Sequence, residues 1–446
     1  MRAARALMWV SAVALSIIGL TALFSATESA SVGIRGSFDS QCRMMAIAFL
    51  IALPLSRLRS GMILSLSGTA YLLCVAGLVL VLVQGTQVNN ASSWIRIGGI
   101  SIQPSEFIKL GIILVLARLL RHERHEQPFQ ELLLTLVLTG IPLILILRQP
   151  DLGTALVILP LVLVLCHTSG YSAPWLGLLV TAGTLLPVWI VFSEVFSWSF
   201  NPLHRYQAGR IIRLLHQDGA SPLVSLGTIP WGTLAGIAMG LCLIALWRAK
   251  GWHKVVWTLL IMGHATPFIL WSRLDIDEQH RMATALVQRH KDGRMAEEPQ
   301  LLQAKFAMGN GSWRGQGWRQ GEQTQYQRLP YSYSDLIFAS IAEEWGFIGA
   351  STVLGLNLLI TLCILFLSSR TREAFPRLAL TGIACLFAVQ ALIHSGYTVG
   401  LLPMTGLTLP FISKGGSSVM VSWAAVGLAH ALSKSPPHRA LSAPWT

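Results

Sequence analysis

The chain has 446 residues, 53% of them hydrophobic and only 12% charged, too few polar groups to clothe a water-soluble surface. Its formal charge of +13 fits basic loops held on the cytoplasmic side of a bilayer better than it fits a nucleic-acid partner. The cysteines, 42, 74, 166, 242, 363 and 385, lie mostly inside apolar runs with no CxxC spacing, which argues against a disulfide framework or a cysteine metal site.

In chain order, apolar runs near the length that crosses the hydrocarbon core predict about twelve membrane helices. They cover residues 7–24, 44–55, 62–83, 107–120, 132–147 and 155–166, then 176–196, 231–247, 255–271, 336–367, 378–393 and 418–432. The first run follows Arg2 and Arg5 and imitates a signal peptide, but further spans follow it directly, so it reads as a retained helix. Basic short loops carrying Arg57/Arg59, Arg118/Arg121/Arg124, Arg248/Lys250/Lys254, Arg370/Arg372/Arg377 and Lys434/Arg439 place both termini in the cytoplasm. The expected fold is an all-α, polytopic membrane helix bundle formed by one domain over residues 1–446. Residues 274–335 then make a large loop outside, itself basic and rich in glycine, a surface suited to an anionic ligand.

Ionisable side chains at membrane depth are costly and therefore candidates for function. Pro104 fits the first turn of a helix and Ser105 can satisfy free amides there, while Glu106 and Lys109, three residues apart, share one face. An ion pair that only fixes helix packing explains the same spacing. Asp151, in Gln149-Pro150-Asp151-Leu152-Gly153, would hold a cation or a sugar hydroxyl, or sit at a solvated helix end. Asp335 closes the outer loop, where partial burial would raise a carboxylate toward the range of a general base; an N-cap is the structural alternative. Glu343 and Glu344 follow in the same helix, and at least one must face the interior.

Gly309, Gly311, Gly315, Gly317 and Gly321 interleave with Trp313, Arg314, Trp318 and Arg319. Exposed amides, guanidinium groups and indole faces suit a pyrophosphate beside a sugar, and a flexible linker has the same composition. The stretch 400–418 is apolar but broken by Gly and Pro, as backbone lining a membrane cavity is. His122 and His125 have metal-like spacing but belong to a basic loop, so they read as a solvated turn.

In this order the segments resemble the SEDS family (shape, elongation, division and sporulation) of bacterial cell-wall polymerases, with its RodA and FtsW branches. The motifs are Trp94-Ile95 with Gln103-Pro104-Ser105-Glu106 and Lys109, the Asp151 segment, Leu329-Pro330 with Asp335-Leu336-Ile337-Phe338-Ala339 and Glu343-Glu344, and Gly400-Leu401-Leu402-Pro403 with Pro410-Phe411 and Gly415-Gly416-Ser417-Ser418. Arg314-Gly315-Gln316-Gly317-Trp318 is closer to the RodA branch. The resemblance implies an inverting peptidoglycan glycosyltransferase that polymerises lipid II at the outer face of the bacterial cytoplasmic membrane, for elongation, shape or division. It implies that Asp335 is the catalytic base and that Arg314, Arg319 and Arg328 meet the leaving pyrophosphate. Glu106, Lys109, Asp151, Gln303, Glu343, Glu344, Lys414 and Ser417 are its supporting candidates. A divalent cation, magnesium or manganese, is the one cofactor implied, with Asp335 or Asp151 as its carboxylate. Implied partners are a class B penicillin-binding protein, other elongation or division proteins and the growing glycan strand. A lipid II transporter and a non-catalytic scaffold of the same fold stay open as alternatives.

The chain also departs from that family. Where relatives carry Pro-Glu-x-His-Thr-Asp, this chain has Pro330-Tyr331-Ser332-Tyr333-Ser334-Asp335, and Lys414 and His394 stand where Tyr and Asn are usual. The resemblance implies ten spans, so the runs inside 226–273 read as an inserted helix pair.

Overall fold

The computed structural model describes residues 1–28, 32–84, 86–88, 91–97, 100–122, 128–149, 151–171, 298–402 and 404–434. The chain divides into two compact units, of which the first comprises residues 1–169, 300–401 and 405–446. In the second, residues 170–299 and 402–404, only a few positions are described.

The first unit is mostly helical. Its early helices are α1 (Arg2–Glu28), α2 (Val32–Leu55) and α3 (Ser60–Gln84), followed by three short strands, β1 (Thr86–Val88), β2 (Ala91–Ile97) and β3 (Ile100–Ile102). Then come α4 (Pro104–Leu119), α5 (Pro128–Arg148) and α6 (Leu152–Thr168). After the undescribed stretch follow α7 (Glu298–Gly311), the single turn α8 (Glu322–Gln325), α9 (Ile337–Ser369), α10 (Ala374–Thr398) and α11 (Gly416–Leu432). Nine expected runs fall on these helices, and residues 176–196, 231–247 and 255–271, with the inserted pair, lie outside the described residues.

Among the described residues six helices, α1, α2 from Gly36, α3, α5, α9 and α10, are long and apolar enough to cross a membrane; α6 and α11 are apolar but shorter. Their outer faces carry Leu72, Leu73 and Val83, each at least 65% exposed. So much apolar surface is unstable in water and suits acyl chains. Inside, α10 packs against α4, α6 and α9, while α1 packs against α9 and α2 against α11. An aromatic cluster joins these layers: Trp423 of α11 meets Trp9, Phe49 and Phe411 at centroid distances of 5.6, 5.1 and 5.7 Å.

Two features correct the all-α expectation. Residues 86–102 form an antiparallel meander in the order β1-β2-β3, with Val88 opposite Ala91 and Ile97 opposite Ile100. The sequence is consistent with this: residues 91–97 are rich in β-prone side chains, and Gly98-Gly99 is a two-residue hairpin signal. The second correction is α7, a 14-residue helix inside the stretch read as loop.

Candidate active site

Asp335 is the penultimate residue of a run of turns, residues 330–336, that leads into α9. The N-cap of α9 is Leu336, with no side-chain cap, so neither Ser334 nor Asp335 caps that helix. The segment is held instead by main-chain clasps. Lys414 N donates to the Tyr333 carbonyl at 3.2 Å, and Ser413 Oγ donates to that of Ser334 at 2.9 Å. Tyr397 Oη lies 2.7 Å from the Asp335 carbonyl and 3.0 Å from that of Leu407. Ser340 Oγ donates to the Ser332 carbonyl at 3.1 Å. Asp335 is thus fixed through its backbone while its side chain is only half-buried.

The facing stretch, residues 404–415, is the Gly/Pro-broken segment. Non-helical backbone this deeply buried must find partners, and α2 supplies some of them. Gln41 Nε2 donates to the Ser413 carbonyl at 3.3 Å, and Gln41 Oε1 accepts from Gly415 N at 3.2 Å. Lys414 Nζ donates to Ser37 Oγ at 2.7 Å and stands 5.0 Å from the centroid of the Tyr333 ring, a cation–π geometry. Burial holds the Lys414 ammonium below the ordinary lysine range. Burial, then Tyr331 and Asp335, push the Tyr333 phenol up, so its ring stays neutral. Two of the residues that depart from the family therefore meet each other beside Asp335.

The other expected residues form three separate constructions. Lys109 and Glu106 make an ion pair of 2.8 Å inside α4, with side chains 1% and 6% exposed. The ion pair that the spacing allows is thus formed, and it is buried. Asp151 is the N-cap of α6: its Oδ1 accepts from Thr154 N at 3.0 Å, and its Oδ2 from Ser105 Oγ, Thr154 Oγ1 and Gln103 Nε2 at 2.8, 2.9 and 3.1 Å. Ser417 Oγ accepts from Gln103 N at 2.8 Å, which carries the same network to α11.

The third construction holds the glycine-rich loop. Glu343 and Glu344 are both buried. Glu343 accepts from Gln323 N at 2.7 Å, Thr324 N at 3.0 Å and Thr324 Oγ1 at 2.7 Å. Glu344 Oε1 accepts from Ser25 Oγ of α1 at 2.5 Å and Gln325 Nε2 at 3.0 Å. Within α9, Gly346 has φ 68° and ψ −166°, which interrupts the helix. The loop fills that break: Gln316 N and Gly317 N donate to the carbonyls of Glu343 and Glu344, both at 3.0 Å, and Phe347 N donates to Ser312 O at 2.9 Å. A Cβ on Gly346 would strike Gly315 N, and one on Gly315 would strike Glu344 O, so the chains touch backbone to backbone. The amides of Gly315, Gln316 and Gly317 are thus occupied by carbonyls, so the loop is an inset packed against α9.

Of the three arginines, Arg319 pairs with Glu28 at 2.6 Å and lies over the Phe24 and Trp318 rings at 5.9 and 5.8 Å. Arg314 and Arg328 are exposed, the latter 5.5 Å from the Tyr326 centroid. Gln303 sits part-buried on α7. Among the described residues no three His, Cys, Asp or Glu side chains converge to hold a metal ion, and both Asp151 oxygens are taken up by donors. The described residues therefore do not fit a protein-built cation site. Ser37, Gln41 and Tyr397 were not anticipated; the signal for the first two was a pair of polar residues four apart, on one face of α2.

The chain is similar to known proteins over most of its length. The family described as cell cycle protein, FtsW/RodA/SpoVE, matches residues 5–222 and 226–437. A peptidoglycan glycosyltransferase, RodA of Treponema pallidum, is 30% identical over 366 residues, which are 80% of this chain and 81% of that protein. A chain of a solved complex, in which a peptidoglycan synthase coordinates polymerisation and crosslinking, has the same fold with a TM-score of 0.62 and 24% identity, over 96% of both chains. The crystal structure of the rod shape determining protein RodA of Thermus thermophilus matches with a TM-score of 0.57 and 22% identity, covering 96% of this chain and 95% of that one. With the motifs in their order, the fold shared along nearly its full length and a relative matched at this identity, the chain belongs to the FtsW/RodA/SpoVE family, the SEDS proteins.

Proposed function

We propose that this protein is a peptidoglycan glycosyltransferase that polymerises lipid II, with Asp335 as its general base. The observation that carries the assignment of the base is the clasp of residues 333–335 by the Tyr397 and Ser413 hydroxyls and the Lys414 amide, which fixes the main chain of a half-buried Asp335. In the reaction, a sugar 4-hydroxyl of the acceptor attacks the anomeric carbon of the lipid-linked donor. Its proton passes to Asp335, the new C1–O4 bond forms, and the bond from C1 to the pyrophosphate oxygen breaks with inversion. Arg314 and Arg328, exposed on the same loop region, together with the Lys414 ammonium, are suited to the charge that gathers on the leaving pyrophosphate. Arg319 contributes to this only by leaving Glu28. A magnesium or manganese ion would come with the substrate's phosphates, and no step here depends on it.

In this reading about twelve helices span the bacterial cytoplasmic membrane. Both termini are cytoplasmic, residues 226–273 are an inserted pair, and the 274–335 loop is outside. A class B penicillin-binding protein is the partner proposed, in keeping with the complex that shares this fold. The process served is elongation, shape or division.

The test is polymerisation of lipid II by the purified chain, alone and with its transpeptidase. Asp335→Ala should retain lipid II binding and lose about 10²–10⁴-fold in rate, the contribution of a positioned base. Normal polymer from the variant would remove Asp335 from that role. Translocation of lipid II without polymer would make the protein a transporter, and no polymer under any pairing would make it a scaffold.

A further inference from the structure

A concave site lies between the first turns of α1 and the last turn of α11, and it does not include Asp335. Its volume is about 570 Å³, and its walls include Arg2, Arg5, Trp9, Val10, His430 and Lys434. Three fixed cations and a histidine face this space. Among the described residues no carboxylate lines it, and neither ion pair involves Arg2, Arg5 or Lys434. Trp9 Nε1 donates to His430 Nδ1 at 3.0 Å, so a neutral His430 carries its proton on Nε2 as a further donor. Lys434 Nζ donates to the Ser56 carbonyl at 3.4 Å, which anchors it at the rim. The apolar side of the cavity opens outward at Val10, which is 63% exposed on a helix long and apolar enough to span the membrane.

Cations gathered beside an apolar wall suit an anion with an apolar chain attached to it. We propose that this cavity binds an anionic phospholipid: its phosphate sits among Arg2, Arg5 and Lys434, and its acyl chain runs along Trp9 and Val10. A cavity of several hundred Å³ holds a ligand head of this size, and basic pockets between membrane helices are suited to such head groups. The proposal rests on the membrane reading of the helices and is independent of the glycosyltransferase chemistry.

The full chain, purified in mild detergent, is titrated with phosphatidylglycerol, phosphatidylcholine or inorganic phosphate, and bound lipid is counted by native mass spectrometry alongside thermal unfolding. Phosphatidylglycerol should be retained and raise the Tm, while phosphatidylcholine and phosphate should do neither. Each basic side chain near an anionic surface contributes roughly fivefold, so the triple variant R2Q/R5Q/K434Q should bind on the order of 100-fold more weakly. The variant R57Q/R59Q, which removes charge from the exposed loop beside Ser56, should keep binding. Equal binding of the two lipids by the wild type overturns the proposal without any variant being needed. Equal loss in both variants reduces it to general attraction, and stabilisation by phosphate alone would make this a soluble-anion site.

Discussion

Glu343 has both carboxylate oxygens committed to donors at 2.7–3.0 Å, two of them main-chain amides, at a position with no solvent exposure. Buried amides stripped of an acceptor are expensive, so Glu343→Ala should cost about 3 kcal/mol. Glu343→Gln should cost nearly as much, because its amide NH2 would oppose N–H donors. Thermal unfolding in detergent measures both, and a near-neutral Gln variant would contradict the two-oxygen account. Lys414 leads to a pH prediction. Its folded pKa lies below the ordinary 10.5 because of burial. Between those two values the unfolded chain binds more protons, so this residue makes stability rise with pH there. The cation over Tyr333 is lost across the same window. The polymerisation rate should therefore show an alkaline decline, and Lys414→Arg, which keeps its charge, should move that decline to higher pH. An unchanged pH profile would exclude a role for the Lys414 charge.

At the scale of elements, α9 departs from its pattern. Its hydropathy describes one continuous span, and 33 residues would extend about 50 Å as a straight helix, well beyond a bilayer core. The break at Gly346 uses that excess: the turns before it receive the glycine-rich loop, and those after it remain long and apolar enough to cross a membrane. Gly346→Ala would place a Cβ at positive φ against Gly315 N and Arg314 N, so a loss of about 2–4 kcal/mol is expected. Proteolysis within residues 311–321 should quicken and polymerisation should fall. Gly355→Ala, where nothing lies within 4 Å, is the matched control and should be neutral. The spacing of glycines in 309–321 was visible in the sequence, but its meaning was not, since a backbone meeting a backbone leaves no side-chain pattern. The meander at 86–102 was visible in its Gly98-Gly99 turn signal and obscured by the long helices around it.

For the whole molecule, the orientation is open to direct test. In a background without the native cysteines, Gln327→Cys should react with a membrane-impermeant maleimide on intact cells, and Arg372→Cys only after permeabilisation. Both side chains are exposed, so access is set by the side of the membrane. Labelling of Arg372→Cys from outside would invert the topology and move Asp335 away from the outer face.

Taken alone, the sequence determined the solvent: runs of apolar residues of bilayer length admit few other readings, and the ordered polar motifs between them mark one family. It also placed the costly charges, Glu106, Lys109, Asp151, Asp335, Glu343 and Glu344, because unsolvated charge is conspicuous in an apolar chain. Their division of labour was decided only by tertiary structure. Asp151 caps α6, Glu343 and Glu344 hold a loop, and Glu106 and Lys109 neutralise each other, while Asp335 sits half-buried on a clasped main chain. A carboxylate's work depends on which donors reach it, and those donors come from residues up to 319 positions away in sequence, as Ser25 does for Glu344.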